Sequence, residues 1–383
     1  MIPLSVPSIR GNEWKYVKEC LDTEWVSTAG SYVERFEAEV ARFTGARYAV
    51  ACVNGTAALH IALILAGVQA GDEVIVPTVT FIAPINAVRY VNADPIFMDC
   101  DGYYDLDEGK TIDFLRRETV FRQGSTYNRG TGRRISAIIP VHVFGNAVRL
   151  EVLFEECAGR GIRVVEDATE SLGTIYSAGG LKGRHAGTVG HIGCLSFNGN
   201  KIITTGGGGM ILTDIEAYAE KARYLTTQAK DDEIRYVHNE VGFNYRLTNL
   251  QAAVGVAQLE QLPGFLEAKT RNYLAYKNEI DQIPGLRLAD APSYARNNHW
   301  MYCLQIDPDS YGRGREELMR HLADHHIQTR PVWRLNHLQV PYARSQHYRI
   351  KLAPELYAIT LNIPCSVNLS ENQMREVVDR LRR

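Results

Sequence analysis

Short apolar runs alternate with helix-patterned stretches through the first two-thirds of the chain, and this alternation constrains the fold more than any other feature. YAVACV (48–53), DEVIVP (72–77), ADPIFMD (93–99), ISAIIPVHV (135–143), IRVVEDA (162–168) and IGCLSF (192–197) read as buried strands. SYVERFEAEVARFTG (31–45), GTAALHIALILAG (55–67), TFIAPINAVRYV (80–91) and RLEVLFEECAGR (149–160) carry apolar residues at helical spacing. Strands apolar along their whole length, each followed by a helix, call for a mainly parallel sheet covered on both faces. The fold class expected is therefore α/β, doubly wound.

From about residue 250 the pattern changes. NLQAAVGVAQLEQL leads into a helical stretch at 263–282, followed by a strand in HWMYCLQI (299–306) and a helix in GREELMRHLADHH (314–326). This predicts a large α/β domain over 13–250 and a small α+β domain over 251–383, with residues 1–12 packing near the ligand site or the small domain. The segment 116–134 has little periodicity in its second half and reads as an extended surface loop.

With 383 residues, 45% of them hydrophobic, the chain can bury a large core. Its net charge of −2 gives no bulk attraction to nucleic acid, and the basic run RGTGRR (129–134) reads as a solvated loop. No secretory signal pattern opens the sequence, and no run approaches the ~18 apolar residues of a membrane span. The seven cysteines are scattered, with no C-x-x-C pair, and read as reduced, mostly buried thiols of a cytoplasmic protein.

Four features fall in loops after expected strands, where α/β sheets place their ligands. In VNGTAAL (53–59) a glycine turn opens a helix, and the backbone N–H groups with the Thr56 hydroxyl make a phosphate cup or, equally, a plain N-capped helix start. In VVEDATESLG (164–173) Glu166 and Asp167 end an apolar strand, with Glu170 three residues on. A carboxylate there needs a partner: an ion pair, a metal or a protonated ring nitrogen. In SFNGNKIITTGGGG (196–209) Ser196 and Asn198 precede Lys201, which a turn holds just ahead of four glycines. The glycines follow the lysine, so the stretch is no P-loop. Phe81, between a strand and a helix, is placed to stack on a planar ligand or to pack in the core. Phosphate cup, strand-end aspartate and turn lysine are together the fixed points of a pyridoxal phosphate site.

The order NGTAAL, EDATESLG, SFNGNKIITTGGGG, GFNYRLTNLQAA closely resembles the DegT/DnrJ/EryC1/StrS-type sugar-nucleotide aminotransferases, over nearly the whole chain. The resemblance implies the fold type I, aspartate aminotransferase-like architecture and a homodimer with shared active sites. It makes Lys201 the Schiff-base lysine and Asp167 the partner of the pyridinium nitrogen, and it places Glu170 near the ring hydroxyl. Gly55, Thr56 and Ser196 hold the phosphate, with Asn198 alongside and Asn244 reaching in from the neighbouring subunit. Phe81 takes the ring-stacking position. Trp25, Thr28, His142, Lys182, Arg246, Trp333 and His337 fall on substrate-facing segments.

Related dehydratases carry histidine where this chain has Lys201, which sets it on the aminotransferase side. The chain departs from common patterns at Gly207, where many relatives are acidic, and at His191. Its 120–134 segment and IQTRPVWRLNH (327–337) look most like the legionaminic acid and bacillosamine branch. That branch implies transfer of the amino group of L-glutamate to the 4-keto group of a UDP-linked 2-acetamido-4-keto-6-deoxy sugar. The alternatives are a C3-specific enzyme, a GDP- or dTDP-sugar enzyme, or a non-catalytic member that only binds cofactor or nucleotide sugar. A metal site at His321 and His325 is disfavoured, since no further ligand set accompanies them.

Overall fold

The computed structural model describes residues 1–232 and 234–382. Its central sheet runs in the spatial order Tyr48–Cys52, Gly209–Thr213, Ile192–Ser196, Arg163–Asp167, Arg134–Ile138, Glu73–Pro77, Asp94–Met98, His347–Tyr348. Neighbours are parallel except around Gly209–Thr213, which is antiparallel to both strands flanking it. Six of the longer strands are buried at every residue or all but the first, as uninterrupted apolar runs require when helices cover both faces. The α/β class read from the alternation is the class observed.

The helices follow from local rules. Ser31–Thr44 buries Tyr32, Val33, Phe36 and Val40 on one face and ends at Gly45, whose φ of 76° accepts the left-handed turn. Gly55–Leu65 starts where the Asn54 side chain accepts the Ala57 N–H.

Two expectations change. The segment expected as a surface loop holds a β-hairpin, Thr119–Arg122 against Ser125–Asn128, whose second strand pairs with Arg134–Ile138. Its two-residue turn, Gln123-Gly124, has positive φ at both positions (49° and 75°), the geometry that matches strand twist in tight hairpins. Two of the three arginines in the basic run beyond it are paired: Arg133 with Asp94, and Arg134 with Asp72.

The second change concerns the helix expected over 263–282. It begins at Asn249 and runs unbroken to Ile280, through Pro263, after a capping box of Thr248 and Gln251. Its first half buries Ala252, Val256 and Leu262 with Phe36 and Phe197 of the large domain. Its second half packs Tyr273, Tyr276 and Ile280 beside Tyr302, Leu318 and Val377. Residue 250 thus lies inside a helix that both cores share. The smaller core is backed by the antiparallel sheet Leu286–Leu288, Tyr302–Ile306, Thr360–Ile363, Arg330–Pro331. The N-terminus joins this side: Ile2 bridges Ile327, and the Leu4 carbonyl accepts the Cys365 N–H at 2.7 Å. All seven cysteines are free and buried. No described helix is long and apolar enough to cross a membrane.

Gly209 is where the sheet and the first ligand loop touch. A Cβ there would stand 2.4 Å from the Asn54 carbonyl oxygen and 2.8 Å from the Gly55 nitrogen, both backbone atoms. Gly209→Ala is expected to destabilise the protein by about 1–3 kcal/mol in urea denaturation, with loss of cofactor retention as the 54–56 turn is displaced.

Candidate active site

Four loops at the carboxyl ends of strands meet in one cavity of about 240 Å³. Gly55, Thr56, Phe81, Asp167, Glu170, Ser196, Asn198, Lys201 and Trp333 all line it. So do Asn54, Thr169, Asn200 and Trp300, which sequence reasoning did not single out. Trp300 had one signal, a bulky aromatic immediately before the MYCLQI strand, but nothing in the sequence said which wall of which cavity it would form.

The glycine-rich end is built by close backbone approach. Asn54 occupies the Ala57 N–H through its side chain and the Ala58 N–H through its carbonyl, which leaves the Gly55 and Thr56 N–H groups without intrahelical acceptors. A Cβ on Gly55 would come within 2.9 Å of Ser196 Cβ and 3.2 Å of the Thr169 methyl, so only glycine brings the strand-end serine this near the helix start. Of the four glycines after Lys201, only Gly206 has a positive φ (79°). Gly207 and Gly208 line the cavity, and Gly209 admits the Asn54 backbone.

The acidic end is dry. Asp167 is 2% exposed and accepts the Thr169 N–H at 3.1 Å. Burial pushes its pKa above the usual carboxylate value, against the hydrogen bonds from Thr169 and the charge of Lys201. Glu170 lies 3.7 Å from Lys201 Nζ and accepts the Phe144 N–H at 2.8 Å. The Lys201 side chain is 13% exposed, with its Nζ 4.3 Å from the centroid of the Trp300 ring. Phe81 is 53% exposed at the cavity mouth, 6.4 Å from Trp333 between ring centroids. Trp333 itself stacks on Phe144 at 4.9 Å and 15°. Phe81 is therefore a wet ring at the cavity mouth and not part of the core.

A family model described as the DegT/DnrJ/EryC1/StrS aminotransferase family matches residues 7–382. The chain belongs to this family. It is 36% identical to a GDP-perosamine synthase of Caulobacter vibrioides over 98% of this chain and 96% of the relative. A GDP-perosamine synthase of Escherichia coli O157:H7 is 35% identical over 97% and 95%. Among solved structures, the aminotransferase TlmJ from Streptoalloteichus hindustanus superposes with a TM-score of 0.88 at 25% identity, over 100% of this chain and 98% of that one. The protein is thus a pyridoxal phosphate-dependent sugar aminotransferase of fold type I.

The cavity of this aminotransferase fits that cofactor on its own chemistry. It offers a glycine-lined cup with unpaired N–H groups and hydroxyls for a phosphate, a buried carboxylate for a cationic nitrogen, and an amine for an aldehyde.

Several residues expected to face substrate are placed elsewhere. His142 is fully buried, its Nδ1 accepting the Val148 N–H (3.1 Å) and its Nε2–H donating to Glu166 (2.8 Å), so both ring nitrogens are spent on structure. Arg246 pairs with Glu37 at 2.7 Å. His337 bonds Thr78 through Nδ1 at 2.7 Å. Trp25, Thr28 and Lys182 are exposed, and they, Arg246 and His337 all lie outside this chain's cavity lining. Asn244 is also exposed and outside it. His191, the departure without an evident role, accepts the Val164 N–H at 3.1 Å and so braces the strand that carries Asp167.

Burial pushes the Glu170 carboxyl up to about 7 from its ordinary 4.5, against the pull of Lys201 and the Phe144 N–H. The folded chain therefore holds this proton more tightly than the unfolded chain does. Its stabilising contribution is full below pH 4.5 and is lost as the pH rises through about 7. In cofactor-free protein, Glu170→Gln should gain stability relative to wild type across that window by up to about 3 kcal/mol, measured by urea denaturation at a series of pH values.

Proposed function

We propose that this enzyme transfers the amino group of L-glutamate to the 4-keto group of a nucleotide-linked 4-keto-6-deoxy sugar, and that the nucleotide is UDP and the sugar a 2-acetamido hexose. The observation that carries the chemistry is one cavity lined jointly by Lys201, Asp167 and the Gly55–Thr56–Ser196 cup, together with the aromatic rings of Phe81 and Trp333. Support for the sugar comes from the 120–134 and 327–337 segments. A second reading, a GDP-linked ketosugar, is favoured by the two GDP-perosamine synthases at 35–36% identity.

When bound, pyridoxal phosphate supplies the electron sink and carries the amino group from donor to acceptor. The chain's residues do the rest. Gly55 and Thr56 N–H groups with the Ser196 hydroxyl fix the phosphate. Asp167 keeps a proton on the ring nitrogen, held in place by the Thr169 N–H. The Lys201 amine takes the α-proton of the amino donor and later delivers a proton to the sugar carbon that receives nitrogen. Such transfer by a positioned amine is worth about 10²–10⁴-fold. Phe81 packs on the ring, and Trp333 bounds the space left for substrate.

We further propose a homodimer in which Asn244 serves the neighbouring subunit's phosphate site. Its exposure, and the apolar side chains left wet on the same stretch (Ile234, Tyr236 and Val241), support this reading.

Lys201→Ala is expected to abolish both turnover and the visible absorbance of the holoenzyme, with the fold retained by circular dichroism. Mass spectrometry after incubation with glutamate and a panel of UDP- and GDP-linked 3- and 4-ketosugars should show amination of the UDP-linked 4-ketosugar; amination only of a GDP sugar would select the second reading. Mixing Lys201→Ala with Asn244→Asp subunits should restore about a quarter of wild-type activity, the share of intact sites expected from random re-pairing of a two-site dimer.

A further inference from the structure

Trp300 is held at every handle it has. Its N–H donates to Asn298 Oδ1 (2.9 Å), its carbonyl accepts from Lys269 Nζ (2.8 Å), and its indole N–H donates to the carbonyl of Asn200 (2.7 Å), the residue before the catalytic lysine. Asn298 is tied in turn to the carbonyls of Glu170 and Leu172 (2.8 and 3.0 Å). Between them His299 sits at a φ of 51° and stacks on Tyr273 at 4.1 Å, a strained backbone kept in place by these bonds.

Lys269 is the costly member. It is 3% exposed, no described carboxylate pairs with it, and its second bond goes to the Cys365 carbonyl. Burial holds it below the usual lysine range. A lysine buried against two carbonyls is expensive to keep, and here it fixes the backbone that aims one indole ring. That ring faces Lys201, whose Nζ lies 4.3 Å from its centroid and 3.7 Å from Glu170.

The geometry points to Trp300 as a positioning residue of the transamination: its indole face holds the Lys201 ammonium over the cavity between the step that takes the donor's α-proton and the step that gives a proton up. In the first step the C–H bond breaks, its electron pair stays with carbon and the proton goes to Nζ; in the second the N–H bond breaks, its electron pair returns to Nζ and the proton forms a new C–H bond on the carbon that accepts it. The face serves the proton-loaded amine between the two, because the ring quadrupole attracts the cation and not the neutral amine. The inference rests on the assignment of Lys201 as the reacting amine.

Trp300→Phe keeps an aromatic face and Trp300→Leu removes it, so the pair separates the role from simple packing. Trp300→Leu should lower kcat about five- to thirtyfold with donor KM within about threefold, while Trp300→Phe stays within about threefold of wild type. In cofactor-free protein, acetic anhydride labelling of Lys201 at pH 8, mapped by peptide mass, should be several-fold faster in Trp300→Leu and near the wild-type rate in Trp300→Phe. Equal labelling in the two variants, or an unchanged kcat in Trp300→Leu, would overturn the inference. Trp300→Met replaces the leucine variant if that one fails to fold. Borohydride trapping of the cofactor on a residue other than 201 would instead sink the functional assignment, whatever the Trp300 variants do.

Discussion

A buried carboxylate with no ion-pair partner among the described residues sets the terms for the rest of this site. Asp167 is 2% exposed and accepts an N–H from Thr169 at 3.1 Å. Removing an ionised carboxylate from water costs several kcal/mol unless something compensates it. The cavity beside it is where a cationic ring nitrogen would do so, and whatever binds the folded chain alone stabilises it by mass action. A ligand bringing such a nitrogen would couple its own binding to folding through this one group. The surrounding elements keep it dry: the strand it ends, Thr169 on its carboxylate, and Glu170 and Lys201 lining the same cavity.

The neighbouring residue shows how local the effect is. Glu166 and Asp167 are consecutive on one strand, so their side chains leave on opposite faces. Glu166 is fully buried too, and burial alone would raise its pKa. His142 and the N–H groups of Gly187, Val189 and Gly190 more than reverse that and bring it below the usual value. Two adjacent acids thus receive opposite treatment: one is saturated with donors and structural, the other is left short of them beside a cavity. A one-residue slip in register would exchange them.

This division also marks what was legible in the sequence. The loops that meet at the cavity could be named because each follows an apolar run, and runs of that kind have few ways to assemble. Gly55, Thr56, Asp167 and Lys201 stand at strand ends, where position in sequence nearly determines position in space. His142 could not be read the same way: it also follows a strand, and only the tertiary contacts with Val148 and Glu166 show that its ring is spent. The hairpin at Thr119–Asn128 escaped because its strands are short and polar, with a turn of Gln-Gly instead of the commoner Asn-Gly. The start of the long helix at Asn249 was hidden because it serves two cores in succession, so its apolar face changes along its length.

That shared helix has a consequence for the cavity walls. The large domain supplies the phosphate cup, Asp167 and Lys201, whereas Trp300 and Trp333 come from the sequence beyond the helix. Lys269 lies on the helix itself and reaches both the Trp300 and Cys365 carbonyls, so the same rod that passes beneath the large-domain core also holds one tryptophan in place. A further tie is the His347–Tyr348 strand, which pairs in parallel with Asp94–Met98 at the sheet edge. Two domains joined by a short peptide would move independently and leave the aromatic wall free to swing. Joined by a 32-residue helix embedded in both cores, they carry the wall as a fixed part of the site. The ring that faces Lys201 is then preorganised by packing remote from the chemistry, which is where positional precision of this kind has to come from.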